Sequence, residues 1–210
     1  MNDFWTPPSN SMRRRIPART VAIHGGTHAH LGFVVCSRPL PASRCERLCE
    51  LGRSFPPECP TVVGQDVLVD HRVGVVRMIP CEKRTLHVYR LVWDAALDAT
   101  RRHYHLTVSG ITRMPHYVEY HAGFGHFHWH NDYSHESEDA PRKLTVIVQL
   151  SEPHEYEGGD LEVFGSSIAV APRHRGSIIC LPSFVEHRVT PVVAGVRRVL
   201  VAWIAGPRLK

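Results

Sequence analysis

The residues with the clearest chemical potential are His130 and Asp132, which stand two positions apart at the end of the stretch YVEYHAGFGHFHWHND, residues 117–132. The first part of this stretch is predicted to form a strand, two glycines interrupt it, and Phe127–His130 is predicted to form a second strand. In an extended chain, residues i and i+2 project to the same side. The imidazole of His130 and the carboxylate of Asp132 are therefore predicted to reach one point in space.

A second histidine from elsewhere in the chain would complete a known metal-binding set. Two imidazoles and one carboxylate hold non-haem Fe(II) by one triangular face and leave the opposite positions open. A lone His-x-Asp arises easily by chance, so the hypothesis depends on this distant histidine. His187 is the candidate because it opens another predicted strand, HRVTPV, and Arg197 follows ten residues later at the start of RRVLVAWI.

Composition indicates an ordinary folded protein. The 210 residues are 43% hydrophobic and 21% charged, which is typical of one globular domain with a sizeable core. The six cysteines include no Cys-x-x-Cys pair, and we expect reduced thiols in a cytoplasmic protein. No apolar run approaches the roughly 20 residues that span a bilayer, and the polar N-terminus is unlike a secretory signal. We expect no membrane partner.

Nucleic acid is not an expected partner, although the formal net charge is +5 and the isoelectric point is about 9.0. The positive charge is spread along the chain apart from the triplet Arg13–Arg15. Genuine nucleic-acid footprints cluster on a folded face, so this triplet is more typical of a solvated tail.

Two segments precede the region of His130. Residues 1–30 show no sustained period and are predicted to be a flexible arm with one short strand at Thr20–His24. Residues 31–210 are predicted to form a single domain, with helical support over about 31–110. Its first helix lies around Cys45–Leu51, with a Ser43/Glu46 capping box and Gly52 as its C-terminal cap. Its clearest helix spans Leu86 to Arg102, because apolar residues recur there at spacings of three and four.

Beyond Tyr117, short strand-like runs alternate with turn residues. The predicted strands are Leu144–Leu150, Asp160–Phe164, Ser177–Leu181, His187–Val192 and Arg197–Ile204. Gly158-Gly159 is explained by a tight hairpin turn. Helices followed by many short strands indicate an α+β fold whose sheets form a sandwich or barrel over about 111–207.

Residues from about 31 to 207 resemble the Fe(II)- and 2-oxoglutarate-dependent dioxygenases, specifically the prolyl-4-hydroxylase-like branch. Four strings carry the resemblance in this order: YVEYHAGFGHFHWHND, RKLTVIVQLS, YEGGDLEVFG and HRVTPVVAGVRRVLVAWIAGP. The family's fold is a double-stranded β-helix, or jelly roll, backed by helices. This fold agrees with the α+β class inferred from the patterns.

The resemblance implies His130, Asp132 and His187 as iron ligands and Arg197 as the residue that binds the far carboxylate of 2-oxoglutarate. Arg198 is the competing choice for that carboxylate. Strand alternation turns Arg198 to the opposite face, and the ten-residue spacing from His187 matches the family's basic residue.

Two further residues resemble co-substrate contacts of the family. Tyr120 resembles the tyrosine that hydrogen-bonds the same carboxylate, although its spacing to His130 is one residue longer than usual. Trp203 resembles a tryptophan near the co-substrate. Leu161 stands where relatives often carry Thr, which removes or replaces one co-substrate hydrogen bond.

The resemblance implies a hydroxylase that uses Fe(II), 2-oxoglutarate and O₂, with ascorbate as a supportive reductant, and releases succinate and CO₂. The carboxylate of Asp132 favours hydroxylation, since halogenating relatives carry a small residue there. The expected substrate is an amino acid, a peptide or a small metabolite. Two alternatives stay open: an oxidative demethylase or hydroxylase of nucleic acid or protein residues, and a non-catalytic metal-binding jelly roll. The sequence does not indicate the oligomeric state.

Overall fold

The protein is represented by a computed structural model that describes residues 5–7, 21–24, 32–36, 38–58, 72–133 and 141–208. The basic triplet Arg13–Arg15 lies outside the described residues. Within the predicted arm, Trp5 pairs with Ile111 and its ring lies 5.9 Å from that of Tyr89. The flexible arm and the division into one domain stay predictions.

Two α-helices pack on one side of the molecule, namely α1 (Ala42–Arg53) and α2 (Leu86–Ala99). Both confirm predicted helices. After Ala99 the chain widens into a π-helical turn, Thr100–Tyr104, and His105 ends it with a φ of 50° in the left-handed region. No helix in the described part of the chain is long and apolar enough to cross a membrane.

The predicted ends of α1 are wrong. Its N-terminal cap is Pro41, without a side-chain hydrogen bond, and Glu46 instead forms an ion pair with Arg175. Gly52 lies inside the helix, where an added Cβ would stand 2.3 Å from Cγ of Tyr117. Glycine is needed here because the helix packs closely against this ring.

Fourteen strands are found in the described residues. In chain order they are β1 (Val21–His24), β2 (Phe33–Val35), β3 (Arg72–Val73), β4 (Val75–Met78), β5 (Gly110–Ile111), β6 (His116–His121), β7 (His126–His130), β8 (Arg142–Gln149), β9 (Tyr156–Gly158), β10 (Leu161–Phe164), β11 (Ile168–Val170), β12 (Ile178–Pro182), β13 (His187–Val189) and β14 (Val192–Ala205).

The strands form two antiparallel sheets. The larger sheet has the order β1-β2-β12-β8-β14-β6-β4, with β5 and β9 also pairing with β14. The smaller sheet has the order β11-β10-β13-β7-β3. The early strands β2 and β4 thus join the larger sheet, so the first hundred residues do more than supply helices.

The strand predicted at His187–Val192 is two strands. β13 ends at Val189 in the smaller sheet, and β14 begins at Val192 in the larger one. Pro191 lies between them, and proline cannot donate a ladder hydrogen bond. The chain therefore changes sheets at this point, which the apolar pattern alone does not reveal.

Two apolar layers hold these elements together. One lies between the helices and the larger sheet, and the other lies between the two sheets. Strand β14 separates them because its side chains alternate: Leu200 and Ala202 join the helix-side layer, whereas Val199 joins the layer between the sheets. The odd-numbered residues of β14 from Arg197 to Trp203 therefore face the smaller sheet.

The described cysteines are free thiols, as predicted. They are Cys36, Cys45, Cys49, Cys81 and Cys180. The cytoplasmic location stays a prediction.

A charged cluster lies on the helix side of β6. The carboxylate of Glu119 is 2.8 Å from Nη1 of Arg77 and accepts a hydrogen bond of 2.8 Å from the Tyr117 hydroxyl. Arg53 and Arg198 lie 3.5 and 3.7 Å from it. Burial alone would raise the pKa of Glu119, but the Tyr117 hydroxyl and Arg77 lower it below its ordinary value.

We predict that Glu119→Gln lowers the free energy of unfolding at pH 7 by about 1–3 kcal/mol, because the half-buried guanidinium of Arg77 loses its charged hydrogen-bond acceptor. The folded-state pKa of Glu119 is depressed, so its contribution is fully present above the ordinary value of 4.5 and is lost as the pH falls through the lower folded value. Urea unfolding of both proteins between pH 7 and pH 3 measures this. A difference that stays constant over the whole range would contradict the assignment.

Candidate metal centre

The predicted convergence of His130, Asp132 and His187 is present in the structure. Their ligand atoms all lie within 4.8 Å of one another. Nε2 of His130 is 3.8 Å from Oδ1 of Asp132, and Nε2 of His187 is 3.4 Å from Oδ2. One carboxylate oxygen and two imidazole nitrogens therefore surround a single point at which a metal ion could bind.

The pairing of β7 with β13 produces this arrangement. His130 ends β7 and stands opposite His187, the first residue of β13. The next aligned pair is Phe127 with Val189, so β7 carries one extra residue over this interval. Such a bulge changes the direction of nearby side chains. Here both Phe127 and His130 line the cavity between the sheets.

Backbone carbonyls fix which nitrogen of each histidine carries the proton. Nδ1 of His130 lies 2.7 Å from the carbonyl oxygen of His128, and Nδ1 of His187 lies 3.0 Å from that of Val185. A carbonyl can only accept, so both Nδ1 atoms donate and both Nε2 lone pairs remain for a cation.

Two hydrogen bonds hold Asp132, one to its carboxylate and one from its backbone. The Thr145 hydroxyl donates to Oδ2 at 2.7 Å, and the hydroxyl of Ser183 lies 3.1 Å from that of Thr145. The backbone N–H of Asp132 donates to the carbonyl of Ser183 at 2.8 Å. Both the position and the rotation of the carboxylate are thereby restricted.

The ionisation of the buried pair suits a cation. Burial would raise the pKa of Asp132, but the contact with His187, the charge of His130 and the Thr145 hydroxyl lower it well below its usual range. Burial would lower the pKa of His187, whereas Asp132 raises it. A metal ligand must be a neutral imidazole, so a cation here competes with a proton on His187.

Arg197 enters the same cavity from β14. Its side chain is 1% exposed, and Nη2 donates to Oε1 of Gln149 at 3.1 Å. Its Nε atom is buried and has no hydrogen-bond partner among the described residues. A buried guanidinium with an unused donor fits a carboxylate of a small ligand, because an unpaired buried donor is costly.

Arg198 points the other way, as alternation predicts. Its guanidinium lies 3.7 Å from Glu119 and 3.8 Å from Glu155, on the far face of the larger sheet. Tyr120, by contrast, is opposite Arg197 on β6, and its ring centroid is 5.6 Å from Cζ of Arg197. Of the two neighbouring arginines, only Arg197 lines the cavity.

Gly159 leaves room for Arg197. The predicted hairpin at Gly158-Gly159 is wrong, because β9 pairs with β14 whereas β10 pairs with β11 and β13. Gly159 has a φ of 62°, and an added Cβ would lie 2.9 Å from Cγ2 of Val192 and 3.2 Å from Cδ of Arg197. The glycine therefore allows the connection between β9 and β10 to pass close to the Arg197 side chain.

Trp203 and Leu161 form apolar parts of the cavity wall. The Trp203 ring stands edge-on to the imidazole of His116, with ring centroids 4.7 Å apart. Leu161 supplies no hydrogen bond, in line with the departure from the family pattern noted in the sequence. The cavity encloses about 390 Å³ of empty space, including its open mouth.

Three polar residues of the site were missed in the sequence: Thr145, Gln149 and Arg72. The first two stand at alternate positions of β8, and period-2 reading of LTVIVQL would have placed them on one face. Arg72 could not be recognised from an alternating pattern because its strand, β3, has only two residues.

Comparison with known proteins identifies a related family over part of the chain. Residues 115–205 match the family model described as the 2OG-Fe(II) oxygenase superfamily. A PKHD-type hydroxylase from Hyphomonas neptunium is 44% identical over 64 residues, which cover 29% of this chain and 28% of that protein. One from Acidovorax ebreus is 40% identical over 62 residues, covering 29% of this chain and 27% of that protein. The chain thus matches less than a third of the length of these relatives.

Solved structures confirm the predicted fold. A prolyl-4-hydroxylase from Pseudomonas putida has a TM-score of 0.63 at 20% identity, covering 87% of this chain and 95% of that one. A prolyl hydroxylase from Trichoplax adhaerens, in complex with a peptide fragment of the hypoxia inducible factor oxygen degradation domain, has a TM-score of 0.65 at 17% identity, with 83% of each chain covered. These similarities show a double-stranded β-helix backed by helices, as predicted.

We predict that Thr145→Val weakens Fe(II) binding about 10- to 100-fold, the usual effect of removing a hydrogen bond to a metal ligand. Valine keeps the shape of threonine but removes the hydroxyl that orients Asp132. Anaerobic equilibrium dialysis against Fe(II) measures the affinity. Thr145→Ser retains a hydroxyl and serves as the matched control, and an equal loss in both variants would indicate a packing effect instead.

Proposed function

We propose that this chain, whose residues 115–205 match the family model of the 2OG-Fe(II) oxygenase superfamily, is an Fe(II)- and 2-oxoglutarate-dependent hydroxylase. It inserts one oxygen atom of O₂ into an unactivated C–H bond and releases succinate and CO₂. One observation carries the proposal: the ligand atoms of His130, Asp132 and His187 lie within 4.8 Å of one another, in a cavity that Arg197 also lines.

The first role proposed for the protein is to hold the three metal ligands in fixed orientations. His130, Asp132 and His187 would hold Fe(II), which would activate O₂; 2-oxoglutarate, oxidised to succinate and CO₂, and the substrate C–H bond would each give two electrons. A set of two imidazoles and one carboxylate would leave positions for the co-substrate and for O₂. The orientation of the three ligands is fixed in advance by the carbonyls at the two Nδ1 atoms and by the Thr145 hydroxyl.

Arg197 is proposed to bind the distal carboxylate of 2-oxoglutarate. Its planar guanidinium can form two parallel N–H···O bonds, which set both the charge and the orientation of the ligand. Burial strengthens this ion pair because water is excluded. Tyr120, opposite Arg197 in the sheet, is proposed to bind the same carboxylate through its hydroxyl, and Trp203 to close the cavity beside it.

The proposed substrate is an amino acid, a peptide or a small metabolite. Both similar structures named above are prolyl hydroxylases, and one of them holds a peptide. They support testing prolyl and other amino-acid compounds first. The proposed function itself is tested by incubating the protein with Fe(II), ascorbate and 2-oxoglutarate in the presence of amino acids, peptides or cell metabolites. We expect an oxygen-atom mass gain in one of them, dependent on 2-oxoglutarate. Absence of both this gain and succinate formation would contradict the proposal.

We predict that Asp132→Ala abolishes Fe(II)-dependent conversion of 2-oxoglutarate to succinate, because the metal loses its only anionic ligand. Succinate release under air measures the rate. The matched control is Asp160→Ala, which removes a half-buried carboxylate that pairs with Arg173 at 3.2 Å and does not line the cavity. An undiminished rate in Asp132→Ala would remove this residue from the metal site.

We predict that Arg197→Leu raises the KM for 2-oxoglutarate about 10- to 150-fold, equivalent to the roughly 1.5–3 kcal/mol of a hydrogen bond to a charged group. The matched control is Arg198→Gln, because this neighbour lies on the opposite face of β14. We expect it to lower stability through Glu119 while leaving the KM unchanged. If Arg198→Gln raised the KM and Arg197→Leu did not, Arg198 would be the anchor.

A further inference from the structure

The charges of the described residues that line the cavity do not balance once the proposed ligands are bound. The two charges of Fe(II) balance the two carboxylates of 2-oxoglutarate, and Arg197 balances Asp132. Arg72 also lines the cavity and adds one more positive charge. Asp132 is the only acidic side chain among the described lining residues. One cation is therefore left for a further anion.

Aromatic contacts hold Arg72 along the cavity wall. Arg72 lies in β3 beside β7, opposite Phe127, and its Cζ atom is 5.1 Å from the centroid of that ring. The Phe127 ring in turn stacks on the imidazole of His130, with centroids 3.4 Å apart and planes at 18°. A guanidinium over an aromatic face is attracted to it. Arg72 is thus kept close to the proposed iron ligand while its N–H groups stay available.

The hydrogen-bonding capacity of Arg72 is not used within the described protein. Its Nε atom is buried without a partner, and none of the described carboxylates forms an ion pair with it. Other half-buried arginines do have such pairs, namely Arg77 with Glu119, Arg173 with Asp160 and Arg188 with Glu162. Arg72 differs from them by facing the cavity.

The surroundings of Arg72 reinforce the positive potential. Burial lowers the pKa of the nearby His116 to about 3, and the charges of Arg72, Arg113 and Arg142 act in the same direction, against that of Asp132. Arg142 also lies over the Trp203 ring, 4.7 Å from its centroid. The charge of Arg72 therefore acts at this end of the cavity, on the same imidazole as those of Arg113 and Arg142.

We propose that Arg72 binds a carboxylate of the substrate, so that this hydroxylase acts on carboxylic acids. A guanidinium and a carboxylate match in two parallel hydrogen bonds, which would hold the substrate at a fixed angle to the metal. The carboxylate belongs to a free or N-acylated amino acid, or to an acidic or C-terminal residue of a peptide. This inference rests on the proposed function, because it assumes Fe(II) and 2-oxoglutarate in the same cavity.

Binding of small acids and their amides tests this proposal without turnover. The protein is loaded with Mn(II) in place of Fe(II) and saturated with 2-oxoglutarate. It is then titrated with N-acetyl-L-proline, acetate and the corresponding amides. Paramagnetic broadening of the probe's proton resonances gives each affinity. We expect each acid to bind about tenfold more tightly than its amide, and a dipeptide series with free or amidated C-terminus to distinguish the two sources of the carboxylate.

Two variants decide whether Arg72 is responsible. We expect Arg72→Gln to abolish the preference for acids while retaining the affinity for 2-oxoglutarate. We expect Arg101→Gln, which removes an exposed charge in the π-helical turn after α2, to keep the preference.

Equal binding of acids and amides to the unaltered protein would overturn the proposal, as would a preference that survives in Arg72→Gln. A loss of 2-oxoglutarate binding in Arg72→Gln would also overturn it, because Arg72 would then belong to the co-substrate site. If 2-oxoglutarate resonances were not broadened in the unaltered protein, the proposed function would fail together with this inference.

Discussion

The antiparallel pairing of β7 with β13 is the interaction on which the rest of the site depends. This pairing places His130 directly opposite His187 in the smaller sheet. With the bulge in β7, both Phe127 and His130 line the cavity. Asp132 follows immediately, where the chain leaves the strand and is held by the backbone of Ser183. A register shift of one residue would turn His130 out of the cavity, because side chains alternate. The metal centre is in this sense a property of strand register.

The larger sheet contributes the buried positive charge of Arg197, and burying a charge costs free energy. Arg197 and Arg198 are adjacent on β14, yet one lies in the cavity and the other among the carboxylates on the helix side. An uncompensated guanidinium inside a sandwich would destabilise the fold. Gln149 satisfies part of its hydrogen-bonding capacity, and Gly159 provides the space for its stem. Nε of Arg197 is buried without a hydrogen-bond partner among the described residues, which is costly for the fold and agrees with the proposed role in binding a carboxylate.

The convergence of His130 and Asp132 could be predicted from sequence because both residues obey a strong local rule. His130 and Asp132 share a strand face, and strand alternation separates Arg197 from Arg198. Helix α2 was recognised from its apolar spacing. The resemblance to a known family supplied the pairing of His187 with the distant motif, which no local rule provides.

Other features could not be read from sequence because they depend on contacts distant along the chain. Gly52 lies next to the Tyr117 ring rather than ending α1, and Gly159 adjoins Arg197 rather than closing a hairpin. The strand of Arg72 is too short to carry a pattern, and its importance appears only when β3 pairs with β7. In each case the residue type is explained by a neighbour that the linear sequence does not identify.

We propose that His130 at the end of β7, Asp132 just after it and His187 at the start of β13 together hold one ferrous ion. Anaerobic Fe(II) titration of the wild-type protein and of His187→Ala, with bound iron counted per chain, tests it most directly. The account predicts one Fe(II) per wild-type chain and loss of this binding in a variant that remains folded. Unchanged stoichiometry and affinity in His187→Ala would contradict it.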